Sequence, residues 1–231
     1  MQRYLFAVVL AIAPMAVEAQ EVGHPPERSP YRDLEYKQEV SLFTGWFAAS
    51  KDPAGVAPRS APMVGARYDL RIAGPAALTV RMAHVFSERT IIDPRETAET
   101  RVVGDASWPL LLADVGVTLN LTGQKSYWHL VPVVGGGVGI ASDTRTRPDT
   151  GGYRFGTGFA FNLGGGVKWI PGGRIQLRAD VTDYLYNIKY PTTYYDAPPA
   201  GGAPVLASTE TRTRWKHNAA LTIGGSYLFF R

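Results

Sequence analysis

Polar and apolar residues alternate along much of the chain with a period of two, the spacing of a β-strand whose two faces meet different surroundings. The segment from residue 63 to 72 shows it best. One face there carries Val64, Ala66, Tyr68, Leu70 and Ile72, and the other carries Met63, Gly65, Arg67, Asp69 and Arg71. This strand alone fits either a soluble sandwich or a membrane barrel, so strand length and connections must decide.

Eight such segments occur. We predict strands at residues 37–49, 60–73, 76–88, 108–122, 126–141, 155–170, 173–189 and 214–230. Strands of soluble proteins commonly have about 5–6 residues, whereas a tilted membrane strand needs about 9–11. No run of eighteen apolar residues occurs, which excludes a helical membrane protein. Strand length therefore favours a membrane barrel.

The connections alternate between long and short. The long ones are 50–59, 88–107, 142–154 and 190–213, and the short ones are 74–75, 122–125 and 171–172. Outer-membrane barrels have short periplasmic turns and long external loops. The predicted fold class is therefore all-β, an eight-stranded antiparallel up-and-down transmembrane β-barrel with both chain ends in the periplasm.

Aromatic residues cluster near the predicted strand ends, where amphipathic rings form interfacial girdles. We assign Tyr127, Trp128, Trp169, Tyr227 and Phe229 to the periplasmic girdle. We assign Trp46, Phe86, Trp108, Phe159, Tyr184, Tyr186 and Trp215 to the external girdle. An alternative is that some of these rings simply fill the barrel.

The N-terminus has the pattern of a secretory signal peptide: Arg3, an apolar run over residues 4–13 and the small residues of Val17-Glu18-Ala19. The run is too short to cross a bilayer as a helix, which needs about 20 residues. We predict a cleaved signal peptide at 1–19, a disordered periplasmic lead at 20–36 and the barrel at 37–231. The predicted location is the bacterial outer membrane.

Composition removes several function classes. The chain has no cysteine and a formal net charge of +4, without the dense basic runs that nucleic-acid binding favours. It has four histidines and none is paired at metal-ligand spacing, so we expect no metal and no cofactor.

The last strand adds a more specific signal. In it, Gly224 is followed by spaced hydrophobic residues that include Tyr227 and Phe229. With the strand count and the loop pattern, residues 37–231 resemble the small eight-stranded outer-membrane proteins of the OmpA membrane-domain or OmpX kind. The resemblance implies that these three residues form the C-terminal signal read by the barrel assembly machinery. The chain departs from that pattern at Ile223, where a polar residue is usual, and at Arg231, which follows the final aromatic residues.

The parity of a residue, its odd or even position along a strand, also predicts whether it faces the lumen. Apolar faces such as Leu111, Ala113, Val115, Val117, Leu119 and Leu121 would meet lipid. The opposite faces carry Arg67, Asp69, Arg71, Arg81, Asp114, Lys168, Arg178 and Asp180. We predict that these eight form a lumen ion-pair network, with Arg178 and Asp180 across from Gly166 and Gly164. An eight-stranded lumen is narrow enough for side chains to fill.

Three function classes stay open at this point. We rank a structural or adhesive surface protein first, a narrow channel for ions or small solutes second and a lipid-modifying enzyme last. The nearest approach to a catalytic group is His84 with Ser87 and Glu88. His84 and Ser87 would point to opposite faces of a strand because their separation is odd. We therefore expect no enzymatic activity.

External loops on a rigid scaffold commonly carry binding. We expect possible external loop contacts at Tyr190, Tyr194, Tyr195, Arg212 and Arg214, of which the arginines could meet lipopolysaccharide phosphates. The expected partners are outer-membrane lipid, lipopolysaccharide and the barrel assembly machinery, and the expected state is a monomer.

Overall fold

A computed structural model describes residues 29–143 and 149–230. The predicted signal peptide and the first part of the predicted lead lie outside the described residues. The described strands are β1 (Tyr31–Asp33), β2 (Gln38–Ala48), β3 (Ala61–Ala73), β4 (Ala76–Val85), β5 (Glu88–Ile92), β6 (Val102–Ser107), β7 (Leu110–Asn120), β8 (Lys125–Tyr127), β9 (Leu130–Asp143), β10 (Thr157–Gly172), β11 (Ile175–Lys189) and β12 (Thr213–Phe229). A single 3-10 turn at Thr192–Tyr194 is the only helical element in the described part.

Eight of these strands close into one barrel. They follow the order β2, β3, β4, β7, β9, β10, β11 and β12, and β12 pairs with β2 again. Every neighbouring pair is antiparallel. Closure leaves no unpaired sheet edge, which is what the interior of a bilayer requires of a spanning sheet. The predicted fold class, with its eight strands in the predicted order, is confirmed.

The barrel has two different ends. The turn end holds the β3–β4 and β10–β11 turns, β1, the end of β12 and the segment 121–129, which contains β8. The loop end holds four long loops, and β5 and β6 form a hairpin within the second. The first, second and fourth loops lie at residues 49–60, 86–109 and 190–212, and the third is described over residues 149–156. The length alternation in the sequence thus corresponds to two ends of one barrel.

Strand parity divides the side chains between the outer face and the lumen. The large apolar residues that are exposed on the outer face of the strands include Leu42, Val64, Val80, Met82, Val115, Val117, Val138, Ile140, Phe161, Leu163, Leu177, Val181, Leu221 and Ile223. Exposed apolar patches on soluble monomers rarely exceed a few hundred Å². An apolar belt that continues around every strand is typical of a surface that meets lipid.

The two aromatic girdles are partly as predicted. Trp46, Phe86, Phe159 and Trp215 are exposed toward the loop end, and Tyr127, Trp128, Trp169 and Tyr227 are exposed toward the turn end. Trp108, Tyr184 and Tyr186 are instead buried inside, so their assignment to the external girdle is wrong. Their parity explains this: Tyr184 and Tyr186 lie on the same face of β11 as Arg178 and Asp180.

Two local features differ from the sequence prediction. Tyr31–Asp33 pairs with Lys125–Tyr127, so the end of the lead that we expected to be disordered forms a strand at the turn end. The strand predicted at 126–141 begins instead at Leu130, because Trp128 and His129 make a two-residue turn between β8 and β9. We call residues 31–37 the strap.

The register of β10 on β11 also differs by two residues. Lys168 lies across from Arg178, and Gly166 lies across from Asp180. The sequence interpretation had placed Gly166 opposite Arg178. The turn causes the shift, since Gly172 and Gly173 both have positive φ and the register is irregular between Trp169 and Gly172.

Among the described residues, no helix has the length and hydropathy needed to cross a bilayer.

Candidate functional site

The half of the lumen nearer the turn end holds a buried network of charges. Arg67 donates to Asp180 at 3.1 Å, and Arg178 bridges Asp180 at 2.9 Å and Asp69 at 3.3 Å. Asp69 also accepts a hydrogen bond from the Thr79 hydroxyl. These side chains come from β3, β4 and β11, so the network ties opposite walls of the barrel together.

Two further pairs extend this network along the barrel axis. Arg81 pairs with Asp114 at 3.2 Å and also donates to Thr182 and Asn162, both at 3.1 Å. Closer to the turn end, Lys168 donates to Glu39 at 2.8 Å. The whole set contains four carboxylates and four cations, so its formal charge cancels. It comprises Glu39, Asp69, Asp114, Asp180, Arg67, Arg81, Lys168 and Arg178.

The structure thus brings together seven of the eight residues that the sequence assigned to the lumen. The eighth, Arg71, lies closer to the turn end and donates to the backbone carbonyl of Leu34 at 2.7 Å. Sequence reasoning missed Glu39. Its strand gives a weak signal because Phe43 and Phe47 share its inward face while Leu42 and Trp46 occupy the outward one.

The lumen has almost no free volume at the level of the charges. The cavity between Arg67, Arg81, Arg178 and the inward glycines of the opposite wall measures about 20 Å³. A water molecule needs roughly 10–15 Å³ by this measure. The described lumen therefore has room at that level for about one water.

The half of the lumen nearer the loop end is apolar, a feature that the sequence interpretation did not include. Inward side chains that form this core include Phe47, Met63, Val85, Leu110, Leu112, Tyr184 and Tyr186. Loop residues continue it: Val56, Tyr153 and Tyr194 are each fully buried and come from three different loops. We call this loop layer the lid, because it covers the loop end of the lumen.

A buried ion pair fixes the lid. Arg89 of the second loop donates to Asp149 of the third at 2.7 Å, and both side chains are almost completely buried. The Arg89 guanidinium lies 4.0 Å from the ring centre of Trp108 and 4.7 Å from that of Tyr153. Stacking between two rings compensates in part for the loss of water around this cation.

The residues that we expected to make external loop contacts divide into two groups. Tyr190 and Tyr194 are buried in the lid core, at 3% and 0% exposure, so they are unavailable to a partner. Tyr195 is partly buried. Arg212 and Arg214 are exposed, and Arg214 pairs with Glu210 at 3.2 Å.

The residues of the C-terminal signal lie in or at the end of β12. Gly224 faces inward, where an added Cβ would lie 2.8 Å from the Cβ of Phe43. Tyr227 is exposed and accepts a hydrogen bond from Arg174 at 3.0 Å, and Phe229 is the last residue of the strand. Their role in assembly remains a prediction.

No known sequence family and no curated protein matches the chain by sequence. Solved structures match it by fold. The outer membrane protein OprG from Pseudomonas aeruginosa aligns with a TM-score of 0.51 and 12% identity, over 85% of this chain and 98% of that one. The chain has the fold of the small eight-stranded outer-membrane β-barrels.

Two further barrels align over similar lengths. The Neisserial surface protein A aligns with a TM-score of 0.47 and 14% identity, over 87% of this chain and 98% of that one. Ail, the attachment invasion locus protein of Yersinia pestis, was solved in complex with the heparin analogue sucrose octasulfate. It aligns with a TM-score of 0.38 and 12% identity, over 84% of this chain and 99% of that one. At these identities the similarity concerns the fold.

The remaining candidates for chemistry are groups of metal ligands and His84 with Ser87. No group of three or more possible metal ligands occurs among the described residues. His84 packs its ring against Phe86, with the ring centres 4.8 Å apart, while Ser87 is buried and donates to the Arg59 carbonyl. The two side chains therefore contact different partners.

Replacing Arg89 by alanine should open the lid without unfolding the barrel. Asp149 would lose its cation while still buried, and breaking a buried pair in this way commonly costs about 3–5 kcal/mol. We expect limited proteolysis to cut the second and third loops of Arg89→Ala, while the strands stay protected. Arg95→Ala, in an exposed pair with Asp93, is the matched control and should be cut like the wild type. An Arg89→Ala lid as resistant as the wild type would contradict this role.

Alkaline pH should also loosen the lid. Burial raises the pKa of Tyr153 and Tyr194 above the ordinary value of about 10. The unfolded lid would release these protons first, so stability present below about pH 10 is lost as the pH rises above it. Phenolate absorbance and loop proteolysis, followed together through an alkaline titration, should change in one step. Tyr194→Phe should move that step to higher pH; phenols that titrate normally within an intact lid would contradict the argument.

Proposed function

We propose that the protein spans the bacterial outer membrane as a closed barrel and acts through its loop end as a surface for binding. The apolar belt and the two girdles support a membrane position. With the short turns in the periplasm, the four long loops face outward from the cell. The chain then serves a structural or surface-interaction role, such as adhesion.

The observation that carries this proposal is that the lumen is filled from the level of the paired charges to the loop end. Paired charges occupy one half and the apolar core with its lid occupies the other. A channel would need a continuous polar path, and the cavity between the charges measures only about 20 Å³. The geometry therefore favours surface interaction over the conduction of ions or small solutes.

The lid gives the loop end a preorganised surface. Arg59 donates to Asp105 at 2.8 Å and joins the first two loops, and Arg101 donates to the Ala203 carbonyl at 2.8 Å and joins the second to the fourth. A surface that is already ordered loses less conformational entropy on binding. In this proposal its exposed cations, Arg212 among them, meet lipopolysaccharide phosphates around a monomeric barrel.

Two measurements test this proposal. In planar bilayers the refolded wild type should stay silent, whereas steady conductance that changes in Arg178→Ala would support the channel instead. In cells, replacement of residues 196–203 by a Gly/Ser linker should reduce adherence to matrix-coated surfaces while Tyr194 and Leu206 keep the lid core. The matched control is Arg174→Gln at the turn end, which should adhere normally. Equal adherence of the wild type, the loop variant and cells without the protein would contradict the proposal.

A further inference from the structure

A second cavity lies at the turn end, between the strap and the last layer of lumen charges. Its volume is about 570 Å³, within the range of about 300–1,000 Å³ that is typical of small-molecule sites. The strap forms one wall, and Lys168, Glu39 and Gln176 lie at its inner end. We call it the vestibule. It lies at the end opposite the lid, so its role does not rest on the proposed function.

Arg71 gives the vestibule an anchor for an anionic group. The other arginines of β3, β4 and β11, namely Arg67, Arg81 and Arg178, each pair with a carboxylate. Within the described residues Arg71 has no carboxylate at ion-pair distance, and its recorded bond is to the Leu34 carbonyl. A guanidinium has five N–H donors, so most of its hydrogen-bonding capacity is available to a ligand.

His129 lines the same cavity and is held in a strained turn. Trp128 and His129 have φ values of 46° and 64°, which residues with a Cβ seldom adopt. Such strain persists where the surrounding structure imposes it and is often found at functional sites. The His129 Nδ1 donates to the Ile170 carbonyl at 2.9 Å, which leaves Nε2 of the neutral ring as an acceptor.

The lining indicates what kind of ligand would fit. Four cations and four carboxylates line the vestibule, so its formal charge cancels, and Glu39 and Asp69 at its inner end already pair with Lys168 and Arg178. A neutral lining with the Arg71 guanidinium not paired to any described carboxylate suits a ligand with a single negative charge better than one with several.

Asn120 offers an amide, and Ser126 and Gln176, which donate to the Arg32 carbonyl and to Glu39, keep oxygen acceptors of the kind that pair with peptide N–H groups. We infer that the vestibule binds a short peptide with a free terminal carboxylate, which pairs with Arg71.

Titration of the full chain in lipid nanodiscs tests this inference, with tri-alanine as the probe and backbone amide NMR shifts as the readout. We expect saturable shifts at Asn120, Ser126 and His129. Loss of one charge-assisted bond corresponds to about a tenfold rise in Kd. We therefore expect at least that rise for Arg71→Gln, and a comparable one when the wild type is titrated with tri-alaninamide, whose carboxylate is blocked.

Arg95→Gln is the control, because Arg95 is an exposed cation of the second loop, at the opposite end of the barrel, and its removal leaves the strap untouched. It should bind tri-alanine like the wild type. The comparison of acid and amide uses unaltered protein, so it holds even if Arg71→Gln displaces the strap. Absence of saturable shifts in the wild type, or equal binding of tri-alanine and its amide, would overturn the inference.

Discussion

Replacement of Asp180 by alanine should destabilise the barrel more than any exposed charge substitution. Asp180 accepts hydrogen bonds from Arg67 and Arg178, and all three side chains are buried. Its removal leaves two guanidinium groups in the lumen with too little compensating charge. Breaking a buried pair commonly costs about 3–5 kcal/mol. Urea unfolding of the refolded protein in lipid vesicles should show a loss of this size.

The control for Asp180→Ala is Asp105→Ala, which removes the carboxylate of the exposed pair with Arg59. Exposed pairs contribute little to stability because water and salt screen them, so the unfolding midpoint should stay unchanged. The unfolding midpoint of Asp180→Asn should lie between those of Asp180→Ala and Asp105→Ala, since an amide keeps one acceptor but loses the charge. If Asp180→Ala unfolds at the same urea concentration as Asp105→Ala, the lumen network does not stabilise the barrel.

The barrel strands were predictable because lipid imposes a strict alternation on them. In β7, for example, the apolar positions Val115 and Val117 flank inward Gly116, and the predicted strand 108–122 contains the observed Leu110–Asn120. The lumen charges follow from the same parity. Glu39 was not predicted to face the lumen because the inward face of β2 also carries Phe43 and Phe47. The two faces of this strand are therefore similarly apolar in the sequence.

The lid and the vestibule were not predictable for a different reason. Both depend on segments that are far apart in the sequence and lack a repeating pattern. Arg89 meets Asp149 across 60 positions, and Arg71 meets Leu34 across 37. Nothing local marks Tyr190 and Tyr194 as buried, because a tyrosine in a polar loop is equally compatible with a contact surface. Only the packing of four loops on one another determines which rings face inward.

The inward glycines of the wall opposite the arginines give the second large effect that we expect. Gly139 in β9 lies across from Asp114, the partner of Arg81. A Cβ at Gly139 would overlap the Ala113 carbonyl oxygen and lie 2.6 Å from the Cα of Asp114. Backbone atoms cannot rotate away as a side chain can, so Gly139→Ala has to separate β9 from β7. We expect a loss of about 1–3 kcal/mol or more, the usual range for overpacking.

The matched control for Gly139→Ala is Gly225→Ala in β12. Gly225 faces outward, and an added Cβ would meet only the Leu177 side chain, at 4.0 Å. The same chemical change should leave stability equal or slightly higher, since glycine in a strand is less favourable than alanine. Urea unfolding and the heat-dependent gel mobility of a folded barrel should therefore separate the two variants. Equal stability of the two variants would show that β7 and β9 can move apart to accommodate a methyl group. The close approach of these strands would then not be what holds Asp114 against Arg81.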